Sequence, residues 1–298
     1  MLSADTAGTR TLGDVTVNRM GFGSMRLTAN PDKQVAIAVL RRAVELGVNH
    51  IDTAAFYVSP GGTLGVGDGP SRYSTELIRD ALFPYPQDLV ITTKVGFSIG
   101  PDGSAREETT GADLRRHVEE NLRRLGRDHL DVVNLRIVRR RWAGDSIAER
   151  FAALADMRKE GLIRHLGLSN VRPDHLDEAE PIAPVVCVQN SFSLDSPPEA
   201  AEMLAECGRR AVAFVPYFAI AGSGRESGAP DQHADAVREV AVAHGVTPHQ
   251  VRLAWTLHQG SHVLAIPGTG DLRHLEENIA AGGLSLSAAD LNALAPVR

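Results

Sequence analysis

Leu89-Val90-Ile91-Thr92-Thr93-Lys94 reads as a buried strand that ends on a cation. A short apolar, β-branched run of this length is what a strand covered on both faces requires, as in parallel sheets. Working outward, similar runs recur at 19–23, 48–52, 130–136, 163–169, 185–190, 211–217 and 262–266. Helical segments separate them, near 32–46, 72–83, 111–125, 147–160, 173–180, 198–208, 232–244 with 247–259, and 271–281. Thr247-Pro248 offers an N-cap followed by proline in the first turn. Gly47, Gly126, Gly161 and Gly245 fall where helices end on glycine. Eight strand–helix units in 298 residues predict one α/β domain over 1–298, a (β/α)8 TIM barrel. A doubly wound open sheet is the alternative. Upstream, Thr11-Leu12-Gly13-Asp14-Val15-Thr16-Val17 reads as an N-terminal β-hairpin placed to plug the barrel floor.

Composition narrows the function. The chain is 43% hydrophobic, enough for a large core, with a net charge of -6 and no basic block. Nucleic acid and anionic membranes are therefore poor partners. No apolar run reaches the roughly 18 residues of a membrane helix, and the start resembles no signal peptide. Cys187 and Cys207 read as reduced thiols of a cytoplasmic protein. The 11 histidines form no cluster at metal-ligand spacing, so no metal is expected.

The lysines are informative because the chain uses 28 arginines and only Lys33, Lys94 and Lys159. Lys33 and Lys159 sit in charged surface contexts. Lys94 ends the buried strand, where a compact ammonium has a pKa that responds readily to burial. The plain reading is a snorkelling strand-end lysine. Strand alternation adds weight to the other reading. It sends Asp52, Lys94, Arg136, Ser169, Gln189 and Tyr217 inward at the C-terminal strand ends, where barrels of this kind build active sites. Asn134 shares the inward face of Arg136. Tyr57 follows Asp52 by five residues, in the loop leaving strand 2. A phenol with a pKa near 10 is a weak acid, and an adjacent ammonium lowers that value. Asp52, Lys94 and Tyr57 thus form a tuned general acid suited to a carbonyl oxygen. The run 58–71 holds five glycines and two prolines, and reads as a lid over the mouth or as a surface insertion.

Several pieces together resemble the aldo-keto reductase superfamily along nearly the whole chain. They are Gly21-Phe22-Gly23-Ser24-Met25, Gly47-Val48-Asn49-His50-Ile51-Asp52-Thr53, Tyr57, Thr92-Thr93-Lys94, Leu130-Asp131-Val132-Val133, Gly167-Leu168-Ser169-Asn170, Val188-Gln189-Asn190, and Ile266-Pro267-Gly268-Thr269 with Glu277-Asn278. The resemblance implies a (β/α)8 barrel, a nicotinamide cofactor, NADPH (NADP+), and reduction of a small-molecule carbonyl substrate. It implies Tyr57 as proton donor with Lys94 and Asp52 tuning it. It assigns Ser169, Asn170 and Gln189 to the nicotinamide carboxamide and Tyr217 to its ring. It places Gly23, Ser24 and Met25 near the ribose and pyrophosphate, and Thr269, His274 and Asn278 at the adenosine phosphate.

Two departures from the family pattern involve three positions. Arg136 stands where the family has a catalytic histidine; arginine is always charged and acts only as a donor. Gly268 and His274 replace a lysine and an arginine that many members use for a 2′-phosphate, leaving Thr269 and Arg273 nearby. The strings Asp131-Val132-Val133-Asn134-Leu135-Arg136 and Cys187-Val188-Gln189-Asn190 are similar to a bacterial pyridoxal reductase-like subgroup. That similarity implies pyridoxal as substrate, with Arg136 and Asn134 expected near it. Phe56 and Trp142, on mouth loops, read as walls for a flat ring or as plain packing. A non-catalytic nicotinamide-binding sensor on the same barrel is the competing reading. A nucleophile elbow at Gly167-Leu168-Ser169-Asn170-Val171 fails because Val171 replaces its last glycine. A monomer and a homo-oligomer fit the sequence equally.

Overall fold

The computed structural model describes residues 2–62, 69–100, 103–138, 145–220 and 234–295. Its strands are β1 (Thr9–Leu12), β2 (Val15–Asn18), β3 (Phe22–Gly23), β4 (His50–Asp52), β5 (Val58–Ser59), β6 (Arg72–Tyr73), β7 (Val90–Val95), β8 (Phe97–Ile99), β9 (Ala105–Glu107), β10 (Leu130–Arg136), β11 (Ile163–Ser169), β12 (Val185–Gln189) and β13 (Ala213–Phe214). The α-helices are α1 (Lys33–Glu45), α2 (Ser74–Leu82), α3 (Gly111–Leu125), α4 (Ala148–Lys159), α5 (Pro173–Ala179), α6 (Ala200–Arg209), α7 (Asp235–His244), α8 (Pro248–His258), α9 (Leu272–Ala280) and α10 (Ala288–Leu294).

One parallel sheet of seven strands organises the molecule, in the order β13-β12-β11-β10-β7-β4-β3. Parallel neighbours need crossover connections, and the helices supply them. The predicted last strand, 262–266, makes isolated parallel bridges to both edges, Val263 to Phe214 and Ala265 to Met20. Backbone bonds carry these bridges. Leu264 N donates to Phe214 O at 2.9 Å, and Ala265 N donates to Arg19 O at 2.8 Å.

Capping chemistry sets the helix limits. Thr247 and Gln250 form a reciprocal capping box with Pro248 in the first turn of α8. Gly126 ends α3 at φ 66°, a left-handed conformation that favours glycine. Two features lie outside the sequence expectation. Helix α10 is capped by Ser287 with Asp290. β8 and β9 pair antiparallel beyond the end of β7.

Apolar burial occurs in layers. The main core fills the space between sheet and helices, with Phe22, Ile51, Ile91, Val133, Leu135, Leu166 and Phe214. A second cluster joins Leu12 and Val17 to Val90, Val132, Cys187, Ala213, Val215 and Leu264. β1 and β2 pair antiparallel, so this hairpin covers the inward side chains from one end. Asp14 at its turn pairs with Arg164 at 2.7 Å and His165 at 2.5 Å, at the start of β11. The hairpin therefore lies at the N-terminal end of the strands, and the opposite end is open for chemistry. Among the described residues no helix is long and apolar enough to cross a membrane.

Candidate active site

Five strand ends build the site. Asp52 closes β4, Lys94 lies near the end of β7, and Arg136, Ser169 and Gln189 close β10, β11 and β12. Register aligns Arg136 with Ser169 and Ser169 with Gln189 across three strands. Lys94 Nζ donates to Asp52 Oδ1 at 2.7 Å, Asp52 Oδ2 at 2.8 Å and Thr53 O at 3.0 Å. Both side chains are almost fully enclosed, at 4% and 6% exposure. Burial pushes the Lys94 ammonium down, and the Asp52 carboxylate outweighs it and holds the group above its ordinary pKa. A close pair of opposite charges makes burial of each tolerable.

Tyr57 faces this pair. Its ring centroid is 4.7 Å from Lys94 Nζ. Burial pushes its phenol above the ordinary value, while Lys94, and more weakly Arg136, pull it down. The expected net lowering by the ammonium is thus corrected: desolvation of the phenolate wins. The group stays protonated at neutral pH, which is the state an acid needs.

Arg136 Nη1 donates to Ser169 Oγ at 3.0 Å, and its guanidinium carbon lies 5.0 Å from the Tyr217 ring centroid. Tyr217 OH donates to Asn170 Oδ1 at 3.2 Å, and Asn170 Nδ2 donates to Ile137 O at 2.8 Å. Asn170 holds φ 59°, a left-handed backbone that such local bonds stabilise. The carboxamide-facing side chains expected at Ser169 and Asn170 are thus already engaged by the protein.

A cleft of about 470 Å³ opens above these groups and runs toward α9. Gly23, Met25, Asp52, Phe56, Tyr57, Lys94, Arg136, Tyr217, Thr269, His274 and Asn278 line it. Ser24, Ser169, Asn170 and Gln189 are not among its lining residues. Ser24 is fully buried, its Oγ donating to Asp52 O at 2.7 Å, so it braces the strand end. Asn134 is also fully buried, and the Cys187 thiol donates to its Oδ1 at 3.3 Å. It lies below the cleft, not on the substrate wall where it was expected. Trp142 and positions 63–68 of the glycine-rich run lie outside the described residues. The flanks of that run, β5 and β6, pair antiparallel.

The sequence reading missed Phe97, Arg26 and His249, which all line the cleft. Phe97 packs on Phe56, with centroids 4.5 Å apart. It sits on the short β8, which has no periodicity to announce it. Arg26 bears on the glycine at 268. A Cβ there would stand 2.5 Å from Gly23 O and 3.7 Å from Arg26 Cγ. No side chain fits at that position, so a cation for a phosphate has to come from a neighbour. Arg273 lies beside His274, Nη2 to Nε2 at 2.9 Å, and also bonds Glu277 at 2.5 Å.

Comparison with known proteins agrees with this geometry. A sequence model described as the Aldo/keto reductase family matches residues 19–297. The chain is 42% identical to pyridoxine 4-dehydrogenase of Escherichia coli (strain K12), over 97% of this chain and 98% of that protein. Among solved structures, it resembles a thermostable aldo-keto reductase bound to the inhibitor epalrestat, with TM-score 0.76 and 28% identity, covering 96% of this chain and 98% of the other. It also resembles an aldo-keto reductase from Klebsiella pneumoniae in complex with NADPH, with TM-score 0.77 and 27% identity, covering 97% and 96%.

Proposed function

The chain belongs to the aldo/keto reductase family, and from that premise we propose that it is an NADPH-dependent reductase that converts pyridoxal to pyridoxine on a closed (β/α)8 barrel. Closure is supported by segment 262–266, which bonds to both edges of the sheet. The observation that carries the activity is the enclosed Lys94–Asp52 pair with Tyr57 against it at the cleft. The reduced nicotinamide, when bound, supplies the hydride. The chain supplies the proton, from the Tyr57 hydroxyl to the carbonyl oxygen. Lys94 stabilises the phenolate left behind, and Asp52 keeps Lys94 charged. Electrostatic groups fixed in advance in a dry site are effective because nothing reorganises as charge develops. A guanidinium offers donors and no acceptor, so Arg136 serves as a fixed donor to the carbonyl oxygen or to an anionic substituent.

Pyridoxal suits this donor arrangement. Its 3-hydroxyl, largely ionised at neutral pH, adjoins the aldehyde, so Arg136 can hold one oxygen while Tyr57 protonates the other. Phe56 and Phe97 offer an aromatic wall for a flat ring. The Escherichia coli relative, named for pyridoxine, supports the same substrate. A charge-assisted hydrogen bond of about 1.5–3 kcal/mol predicts kcat/KM for pyridoxal roughly tenfold or more above benzaldehyde. Arg136→Ala should erase most of that preference. Steady-state kinetics on both aldehydes test it. Pyridoxal turned over no better than benzaldehyde or methylglyoxal removes the substrate assignment and leaves the reductase standing.

NADPH is favoured over NADH because Arg26, Thr269 and His274 line the cleft toward α9, with Arg273 bonded beside His274, where a 2′-phosphate would find donors. The relative solved with NADPH points the same way. Isothermal titration should give NADPH about tenfold tighter binding, the value of roughly one charge-assisted hydrogen bond. Equal affinity for the two cofactors overturns this preference.

A further inference from the structure

Gln189 was assigned by resemblance to cofactor binding alone, yet its strongest contact lies within the proton-donating group. Gln189 is 1% exposed. Its Nε2 donates to Asp52 Oδ1 at 2.9 Å, the oxygen that also accepts from Lys94 Nζ at 2.7 Å. Its Oε1 has no hydrogen-bond partner among the described residues. An amide can turn over and exchange its two ends. Here the turned amide would place a carbonyl oxygen against a carboxylate. The orientation is therefore dictated by Asp52, even though an enclosed carbonyl is left unmatched.

We infer that Gln189 is a positioning residue for the proton donor. It shares the Asp52 charge with Lys94, so that more of the ammonium field reaches Tyr57. The three donor bonds of Lys94 go to the two Asp52 oxygens and to Thr53 O. A carboxylate that loses its Gln189 bond draws harder on that ammonium, and the Tyr57 phenolate loses stabilisation. The groups facing Asp52 and Tyr57 are Lys94 from β7, Arg136 from β10, and Gln189 and the buried Cys187 thiol from β12. Of these Gln189 is the uncharged group bonded to the Asp52 carboxylate, so that bond can be removed without deleting a charge.

This inference rests on the reading of Tyr57 as the proton-transferring group. Alcohol oxidation reports on it, because the reverse reaction needs Tyr57 as phenolate. The kcat for oxidation rises with pH and levels off above the apparent pKa. Gln189→Met, similar in volume and lacking the amide, should move that midpoint upward by about one pH unit, roughly a tenfold loss at a pH below both midpoints. Gln189→Glu sets a second carboxylate beside Asp52 and should move it further in the same direction. A fall in kcat or in cofactor affinity with an unmoved midpoint in Gln189→Met overturns the inference, since packing or cofactor contact alone predicts that result. Should Gln189→Met not fold, Gln189→Leu, also uncharged and lacking the amide, carries the test, with the same upward shift expected. The Tyr57→Phe profile separates the two levels. If the pH-dependent limb survives in Tyr57→Phe, the proton-donor reading fails and this inference falls with it. If the limb disappears there and stays in place in the Gln189 variants, only this inference fails.

Discussion

Tyr57→Phe is expected to lower kcat for aldehyde reduction by about 10²- to 10⁴-fold, the usual worth of general acid catalysis, with cofactor affinity nearly unchanged. The substitution removes one oxygen and keeps the ring, so contacts with Phe56, 5.2 Å away between centroids, persist. What is lost is a proton held at the carbonyl oxygen as negative charge develops there. The pH dependence has a definite sign. Reduction uses the protonated phenol, and burial holds its pKa above the ordinary value near 10. Reduction should therefore run level through neutral pH and decline only in alkaline solution. Single-turnover rates across pH, with and without the hydroxyl, measure this directly. Retention of more than about half the wild-type kcat in Tyr57→Phe contradicts the assignment outright.

How much of this was legible beforehand depended on what a residue's position demands. Asp52, Lys94 and Arg136 were readable because polar groups at the ends of apolar runs are conspicuous, and alternation fixes the face on which they stand. Helix α3 was readable to its last residue because Thr110 caps one end and Gly126 the other. Depth was not readable. Alternation gives the face of a strand, whereas height within the sheet depends on the stagger between neighbours. Lys94 and Asn134 lie across from each other, yet the long lysine stem reaches the cleft while the short Asn134 side chain stays buried against the Cys187 thiol. Ser24 was misplaced for a related reason, because its hydroxyl is taken by the Asp52 carbonyl. The Tyr57 shift was given the wrong sign because a neighbouring charge can be inferred from spacing, and the degree of desolvation cannot. Phe97 and Arg26 come from a three-residue strand and a single 3₁₀ turn, too short for periodicity to reveal a face. Helix α10 hid behind a serine–aspartate box, a weaker signal than the glutamate or glutamine form.

Lys94→Met should cost both activity and stability, and the two losses can be separated. Methionine keeps most of the apolar stem and deletes the ammonium. Asp52 is then left 4% exposed, with the Gln189 amide as the one remaining donor to its carboxylate among the described residues. Breaking one member of a buried ion pair costs about 3–5 kcal/mol, mostly because the partner stays charged and unmatched. For a chain of this size that corresponds to a fall in Tm of roughly 10 °C. The double variant Lys94→Met with Asp52→Leu removes both charges. Replacing a whole buried pair by apolar groups is often neutral or better, so most of the lost Tm should return. Turnover should not return, because the field that stabilises the Tyr57 phenolate comes from the ammonium and no apolar group supplies it. Differential scanning calorimetry and pyridoxal kinetics on the single and double variants decide between the roles. A double variant that regains both stability and turnover shows Lys94 to be architecture only. A single variant that melts with the wild type shows that the pair holds nothing together. Recovery of Tm alone places Lys94 in the chemistry, with Asp52 there to keep it charged.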